Sequence, residues 1–266
     1  MIRETRLGEV LSFEVARAAR PWLALWTVRV YILDRVMIDT GPPNMRGPIL
    51  DLARRLDIEA VILTHHHEDH AGNAHALATE IGLPVFAAPR AIPLLAEGGG
   101  EALFQLLTWG RRKPVTAVPV DRGLKLSSTV FEPLEAPGHS ADMTCWLVKD
   151  KGILFSGDLY IADRVRLFRF DESLSETIRS LERIAAIDFD SLMCGHNPKP
   201  THGSDRLKAK RDYLLELRDR VRAMAARGAP PDRIAGRLLG SDKLIRFVTG
   251  GRVSTLNLVR SALESE

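Results

Sequence analysis

Apolar and polar positions along this chain repeat with a period that changes along its length, and each change predicts a different layer. From Trp22 to Asp39 the period is two. Trp26–Leu33 and Val36–Ile38 read as strands joined by a turn at Asp34-Arg35. Arg46–Leu56 then carries Ile49, Leu50, Ala53 and Leu56 on one helical face. The solid apolar run Ala60-Val61-Ile62-Leu63 predicts a buried strand. A helical pattern from Ala74 to Leu83 and a strand over Leu83–Ala87 follow it. This β-α-β-α rhythm predicts a helix-covered sheet. From Val115 the period returns to two, with strands over Val115–Val120, Gly123–Leu126, Thr129–Glu135, Thr144–Val148 and Gly152–Phe155. Ser173-x-x-Glu176 is a capping box opening a helix whose inner face is Leu174, Ile178, Leu181 and Ala185. A last strand, Ser191–Cys194, ends at Gly195-His196.

From Ser204 the pattern becomes purely helical. Leu207, Leu214 and Val221 recur at seven, as do Leu217 and Met224, and Gly228, Pro230 and Pro231 stop the helix. Shorter helices follow around Arg233–Leu239 and Ser254–Leu263. The expected organisation is therefore a domain over 1–203 with a helical extension over 204–266 packed on it. The apolar stripe of the long helix covers either its own domain or a second subunit, as in a homodimer.

Composition narrows the class. The 266 residues are 45% hydrophobic and 27% charged, as in an ordinary soluble globular protein. No apolar run approaches the roughly 18–20 residues of a membrane span. Met1–Arg6 leads into no signal-type apolar core, so the expectation is a cytoplasmic protein that does not contact membranes. A net charge of +3 is weak support for a nucleic-acid partner. Residues 205–227 concentrate basic charge, but such a face is usually just solvated. Cys145 and Cys194 sit in apolar strand-like runs and read as buried free thiols.

The chemistry concentrates in Thr64-His65-His66-His67-Glu68-Asp69-His70-Ala71-Gly72-Asn73. Four of the eight histidines fall there, directly after the buried strand, where open α/β sheets place ligands. His65, His67, Asp69 and His70 fit His-x-His-x-Asp-His, a set of first-row metal ligands. Three further residues have matching chemistry at strand ends, each preceded by glycine: His139, Asp158 and His196. Asp39, also at a strand end, either caps its turn or accepts the second ring N–H of a ligand histidine.

In this order and setting, these motifs resemble the metallo-β-lactamase fold superfamily over about Met37 to His196. The resemblance implies a four-layer αββα sandwich with a dinuclear metal site on one edge. It implies that His65, His67 and His139 hold one divalent ion, that Asp69, His70 and His196 hold the second, and that Asp158 bridges them. The bridging Asp resembles the glyoxalase II, lactonase and nuclease branches more than true β-lactamases. The implied activity is hydrolysis by a hydroxide held between two ions, most simply zinc, with iron or manganese also compatible. Asp69 is the candidate proton shuttle.

The substrate is less legible. Glyoxalase II proteins show Gly-Cys-Gly soon after the bridging Asp, where this chain has Leu159–Arg164. Tyr160 either donates to a substrate oxygen or is a packed aromatic. Arg164 and Arg166, in the alternating stretch Arg164–Phe170, either hold a substrate anion or line the wet face of a strand. Residues 98–113 form either a flap over the site or a surface insertion. The leading expectation is an ester, lactone or thioester of a small molecule. A phosphodiesterase or endoribonuclease is the alternative, and a mononuclear iron persulfide dioxygenase is a more distant one.

Overall fold

The structure is a computed structural model that describes residues 1–16 and 27–264. Its strands are β1 (Ile2–Leu7), β2 (Val10–Val15), β3 (Val28–Leu33), β4 (Val36–Ile38), β5 (Ala60–Ile62), β6 (Val85–Ala87), β7 (Val118–Pro119), β8 (Leu124–Leu126), β9 (Thr129–Glu135), β10 (Thr144–Val148), β11 (Ile153–Gly157), β12 (Phe168–Arg169), β13 (Ser191–Cys194) and β14 (Val253–Ser254). Its helices are α1 (Arg46–Arg55), α2 (Glu68–Ala71), α3 (Ala74–Ala76), α4 (Ala91–Glu97), α5 (Leu103–Thr108), α6 (Leu174–Ala185), α7 (Gly203–Ala226), α8 (Pro231–Leu239), α9 (Lys243–Val248) and α10 (Thr255–Glu264). Strands β1 to β7 form one sheet in sequence order, antiparallel up to β4 and parallel from there on. A second sheet runs β13-β11-β10-β9-β8, and β12 pairs with β14 as a separate ribbon.

Three apolar layers make this an αββα sandwich. Tyr31, Leu33, Val36, Ile38 and Ile62 from the first sheet pack against Phe131, Trp146, Val148 and Phe155 from the second. The intervening residues of the first sheet, Val30, Ile32, Met37 and Val61, face the other way onto Ile49, Leu50 and Ala53 of α1. Cys145, Leu147 and Leu154 of the second sheet likewise face Ile178 and Leu181 of α6. Both sheets are thus covered on both sides, which is why β5, β10 and β11 read as solid apolar runs although their side chains alternate between two cores.

The helical extension closes the same layer. Leu207, Leu214, Leu217 and Val221 of α7, Ile234 of α8 and Leu258 of α10 join the core beneath α6. Three polar contacts carry α7 to the loop after β11. Lys210, buried, donates from Nζ to the Leu159 carbonyl at 2.7 Å, Tyr213 donates to the Val165 carbonyl at 2.8 Å, and Arg206 pairs with Asp163 at 2.9 Å. The stripe at spacing seven therefore covers its own fold. Much of the outer basic charge is paired locally, as in Arg211–Asp212, Arg218–Asp219 and Arg220–Glu216.

Several elements differ from their sequence pattern. The hairpin β1–β2 is new; alternate exposed charges at Arg3, Glu4 and Arg6 mask a strand whose partner buries Val10, Phe13 and Val15. Trp22 and Trp26 lie outside the described residues, and the strand that follows starts at Val28. The helix expected over Ala74–Leu83 is α3 plus a wider π turn, Leu77–Ile81, ended by Gly82 in the left-handed region. Helices α4 and α9 are too short to show a clear period. The Arg164–Phe170 stretch yields only the two-residue β12. Ser173 caps α6 as its motif predicts, accepting from the Glu176 amide at 3.3 Å. Cys145 and Cys194 are buried and free. Among the described residues, no helix is long and apolar enough to cross a membrane.

Candidate metal centre

Five strand ends deliver the site to one edge of the sandwich. Asp39 follows β4, His65–His70 follow β5, His139 follows β9, Asp158 follows β11 and His196 follows β13. Cross-sheet hydrogen bonds fix these ends against one another. The Tyr31 hydroxyl donates to the Cys194 carbonyl at 2.6 Å, Trp146 Nε1 to the Leu63 carbonyl at 3.0 Å, and the Thr144 amide to the Thr64 carbonyl at 2.9 Å. Gly195 lets the last strand pass the site: a Cβ there would lie 2.3 Å from Asp158 Oδ1 and 2.7 Å from His70 Cε1. Gly157 sits at φ +47°, a conformation side chains resist, with Met143 and Thr64 against its open face.

Two triads meet at this edge. His67 Nδ1 lies 3.0 Å from both His65 Nε2 and His139 Nε2. Asp69 Oδ2 lies 3.8 Å from His70 Nε2 and 4.0 Å from His196 Nε2. Asp158 stands between them, with Oδ2 at 3.3 Å from His196 Nε2 and 3.5 Å from His139 Nε2, and Oδ1 at 3.4 Å from His70 Nε2. The structure therefore brings together all seven residues of the expected ligand set, in groups suited to metal ions.

The tautomers can be worked out from their partners. His196 Nδ1 faces the Thr27 carbonyl at 2.6 Å, and a carbonyl only accepts, so Nδ1 carries the proton. His70 Nδ1 donates to Asp39 Oδ2 at 2.7 Å. Thr64 donates its hydroxyl to Asp39 and so accepts from His65 Nδ1 at 3.0 Å. In each neutral ring the bare lone pair is then on Nε2, the atom turned into the cluster. Asp39 is thus an acceptor behind two ligands, and it holds φ +59° to serve there. Sequence reasoning missed Thr64 and Thr27 because a hydroxyl and a backbone carbonyl leave no motif. It also missed Glu172, 3.4 Å from His139 Nδ1, and Asp142, which binds the His66 amide and ring at 2.8 Å each and turns His66 aside.

The electrostatics favour a cation. Burial pushes the His65 and His67 imidazoles well below their ordinary pKa, keeping them neutral as ligands must be. Burial opposes protonation of His70 and His196 too, but carboxylates led by Asp158 outweigh it, raising His70 well above the usual range and His196 to about 9. Asp158 is buried, yet His196 and His70 hold it well below the usual carboxylate range. Positive charge is stabilised where the Nε2 lone pairs converge, and His70 Nε2 and Asp158 Oδ1 are buried with no aligned hydrogen-bond partner. The donor set fits divalent metal.

A cavity of about 230 Å³ opens beside His67. Gly98–Glu101 and Gln105 of the 98–113 segment form one wall, and Arg169, Phe170 and Arg252 another. The segment is pinned from two directions: Gln105 Nε2 donates to Glu68 Oε1 at 2.7 Å, and Arg112 is buried, donating to the Leu94 and Leu95 carbonyls. Tyr160, Arg164 and Arg166 are not among the residues lining this cavity. The Tyr160 hydroxyl donates to Asp163 at 2.7 Å, Arg164 is exposed, and Arg166 is committed to the carbonyls of Leu239 and Ser241. Arg169, the next arginine along the chain and out of step with Arg164 and Arg166, lines the cavity instead.

Comparison with known proteins agrees with this geometry. Residues 27–196 match the metallo-β-lactamase superfamily. A hydroxyacylglutathione hydrolase from Methylobacillus flagellatus is 29% identical over 199 residues, 73% of this chain and 71% of the relative. A metallo-β-lactamase family protein from Thermus thermophilus superposes with a TM-score of 0.67 at 19% identity, covering 96% of this chain and 92% of its own. TTHA1623, solved in a di-iron-bound form, gives a TM-score of 0.56 at 26% identity over 73% of this chain and 96% of its own. The chain belongs to the metallo-β-lactamase superfamily and is a metal-dependent hydrolase of that fold.

Proposed function

We propose that this enzyme is dinuclear and cleaves an ester, lactone or thioester bond of a small molecule. The observation that carries the reading is Asp158, whose two oxygens reach ring nitrogens of both triads at 3.3–3.5 Å. His65, His67 and His139 would hold one ion, Asp69, His70 and His196 the other, with Asp158 shared. Zinc suits this nitrogen and oxygen set; iron is the competitor, supported by the di-iron form of TTHA1623. When bound, two such ions supply Lewis acidity and lower the pKa of water held between them towards about 7.

The chain's own residues do the rest. Asp39, Thr64 and the Thr27 carbonyl fix the ring orientations. Asp69, 14% exposed, is the carboxylate placed to take a proton at Oδ2 and pass it to the leaving group. The wall from Gly98 to Gln105 limits water beside His67. A carbonyl substrate is further supported by the relative named for hydroxyacylglutathione hydrolysis. The test is a panel of thioester, aryl ester, lactone and bis-aryl phosphodiester on zinc-loaded and iron-loaded protein. Carbonyl hydrolysis that is lost with the metal in His67→Ala and Asp158→Ala is the expected result. Preference for the phosphodiester would overturn the substrate class, and full activity in either variant after metal stripping would overturn the site.

A further inference from the structure

The cavity beside His67 is built partly by the C-terminal extension. In the β12–β14 ribbon, Arg169 pairs with Val253 and Phe168 with Ser254. One residue further, the Phe170 amide donates to the Arg252 carbonyl at 2.8 Å. Residues 169, 170 and 252 are therefore held side by side on a paired backbone, not on a free loop, and all three line the cavity.

The two arginines are prepared differently. Arg169 is largely buried, with Nε and Nη2 forked onto the Asp171 carboxylate at 3.1 and 3.3 Å. That fork fixes the plane of the guanidinium while Nη1 takes no partner among the described residues. Arg252 lies over the Phe170 ring, 5.2 Å from its centroid, and has no carboxylate partner among the described residues. Stacking holds a guanidinium by its face and leaves its N–H edges to bind. Of the acids that line the cavity besides Asp171, Glu68 accepts from Gln105 and Glu101 accepts from the Arg112 amide at 2.9 Å, while Glu97 stands beside Gly98 on the opposite wall.

We propose that Arg169 and Arg252 form an anion subsite, so that the substrate carries a carboxylate or phosphate group remote from the bond that is cleaved. This rests on the proposed metal site for its binding arm and on the proposed ester substrate class for its catalytic arm. One guanidinium oriented by a carboxylate and a second lying over a ring bind planar or tetrahedral oxyanions through charge-assisted hydrogen bonds, and such bonds are roughly twice as strong as neutral ones.

The test uses zinc-loaded full-length protein, with Arg252→Ala and Arg252→Glu as variants because that side chain is exposed. The first arm needs no turnover: calorimetric titration with dicarboxylates from succinate to suberate, with the matching monocarboxylates, and with ω-phosphoryl alkanoates. One acid end meets the metals in every case, so the subsite is read as the gain from the second end. The expected result is a gain of about tenfold or more at one chain length, lost in Arg252→Ala and in Arg252→Glu. The larger gain, carboxylate or phosphate, names the group. The second arm compares aryl esters that share a scissile bond and end in a carboxylate or its amide; Arg252→Ala should lower kcat/KM for the acid alone, with zinc content unchanged. No second-end gain in the wild type, or equal loss on acid and amide, overturns the subsite. A second-end gain without hydrolysis of any ester overturns the proposed ester substrate class and leaves the subsite standing.

Discussion

Replacing Asp39 by asparagine isolates the role of a residue that touches no metal. Asparagine tolerates the left-handed φ of +59° about as well as aspartate, so the backbone is not the perturbed quantity. The carboxylate accepts from the Thr64 amide at 2.8 Å, the Thr64 hydroxyl at 2.8 Å and His70 Nδ1 at 2.7 Å, with the side chain nearly fully buried. An amide keeps one acceptor oxygen and puts an NH2 in the other place. If the NH2 faces His70, Nδ1 must accept, the ring proton moves to Nε2, and the lone pair needed by the metal is lost. If it faces Thr64, two buried donors collide at a cost of about 1–3 kcal/mol. Either outcome weakens the second triad. Partners behind a ligand histidine typically carry 10–100-fold in affinity, or about 1.4–2.7 kcal/mol. Competition against a chromogenic chelator at pH 7 should show the D39N protein losing metal from the proposed second site about 10–100-fold more readily than wild type. Equal affinity for both ions in the two proteins would show that Asp39 merely fills its turn.

Other consequences of the geometry can be checked as directly. Gly195→Ala places a methyl group against Asp158 and His70 at a backbone position open to any residue, so metal content measured by atomic absorption should fall while the circular dichroism spectrum is kept. His196, raised to about 9 without metal, holds a proton at pH 7 that a bound ion must displace; affinity should therefore climb with pH through that value, by about tenfold per unit for each proton released. Calorimetry in buffers of different ionisation enthalpy counts those protons, and a count of zero would refute the assignment. The same raised pKa stabilises the metal-free fold fully below about 6.5, the unfolded value, and that contribution disappears as pH rises through about 9. Leu214→Ala empties a fully buried position under α6 and should cost about 2–5 kcal/mol in urea unfolding, against nearly nothing if the extension were a separate appendage.

The clustered site residues and the strands were legible because they obey strong local rules. A strand buried on both faces must be apolar throughout, and a metal edge must gather histidine and carboxylate at strand ends, so His65, His139, Asp158 and His196 each stood out in their own segment. What stayed hidden depends on contacts between segments. Thr27 acts through a carbonyl that every residue possesses. Thr64 acts through a hydroxyl whose direction is set by Asp39, 25 positions away. Arg164, Arg166 and Arg169 look alike in sequence; what separates them is that Leu239 and Ser241 carbonyls take Arg166, while pairing with β14 turns Arg169 towards His67. Periodicity marks which side chains share a face, but not which cavity the face meets.

This dependence on distant pairing gives the C-terminal extension a place in the chemistry. Lys210 donates to the carbonyl of Leu159, the residue directly after Asp158, and does so from a buried site where a cation is costly unless its hydrogen bonds are made. Tyr213 and Arg206 hold the same loop further along. At its far end the extension supplies β14 and Arg252, which complete the cavity wall. One helix thus steadies the loop that carries Asp158, and one ribbon shapes what can approach it. The basic stripe on α7, read alone, resembles a surface for nucleic acid. Lys210 is turned inward, and most of the outer arginines are paired to neighbouring carboxylates. The positive charge suited to a ligand is instead at Arg169 and Arg252, in a cavity sized for a small molecule.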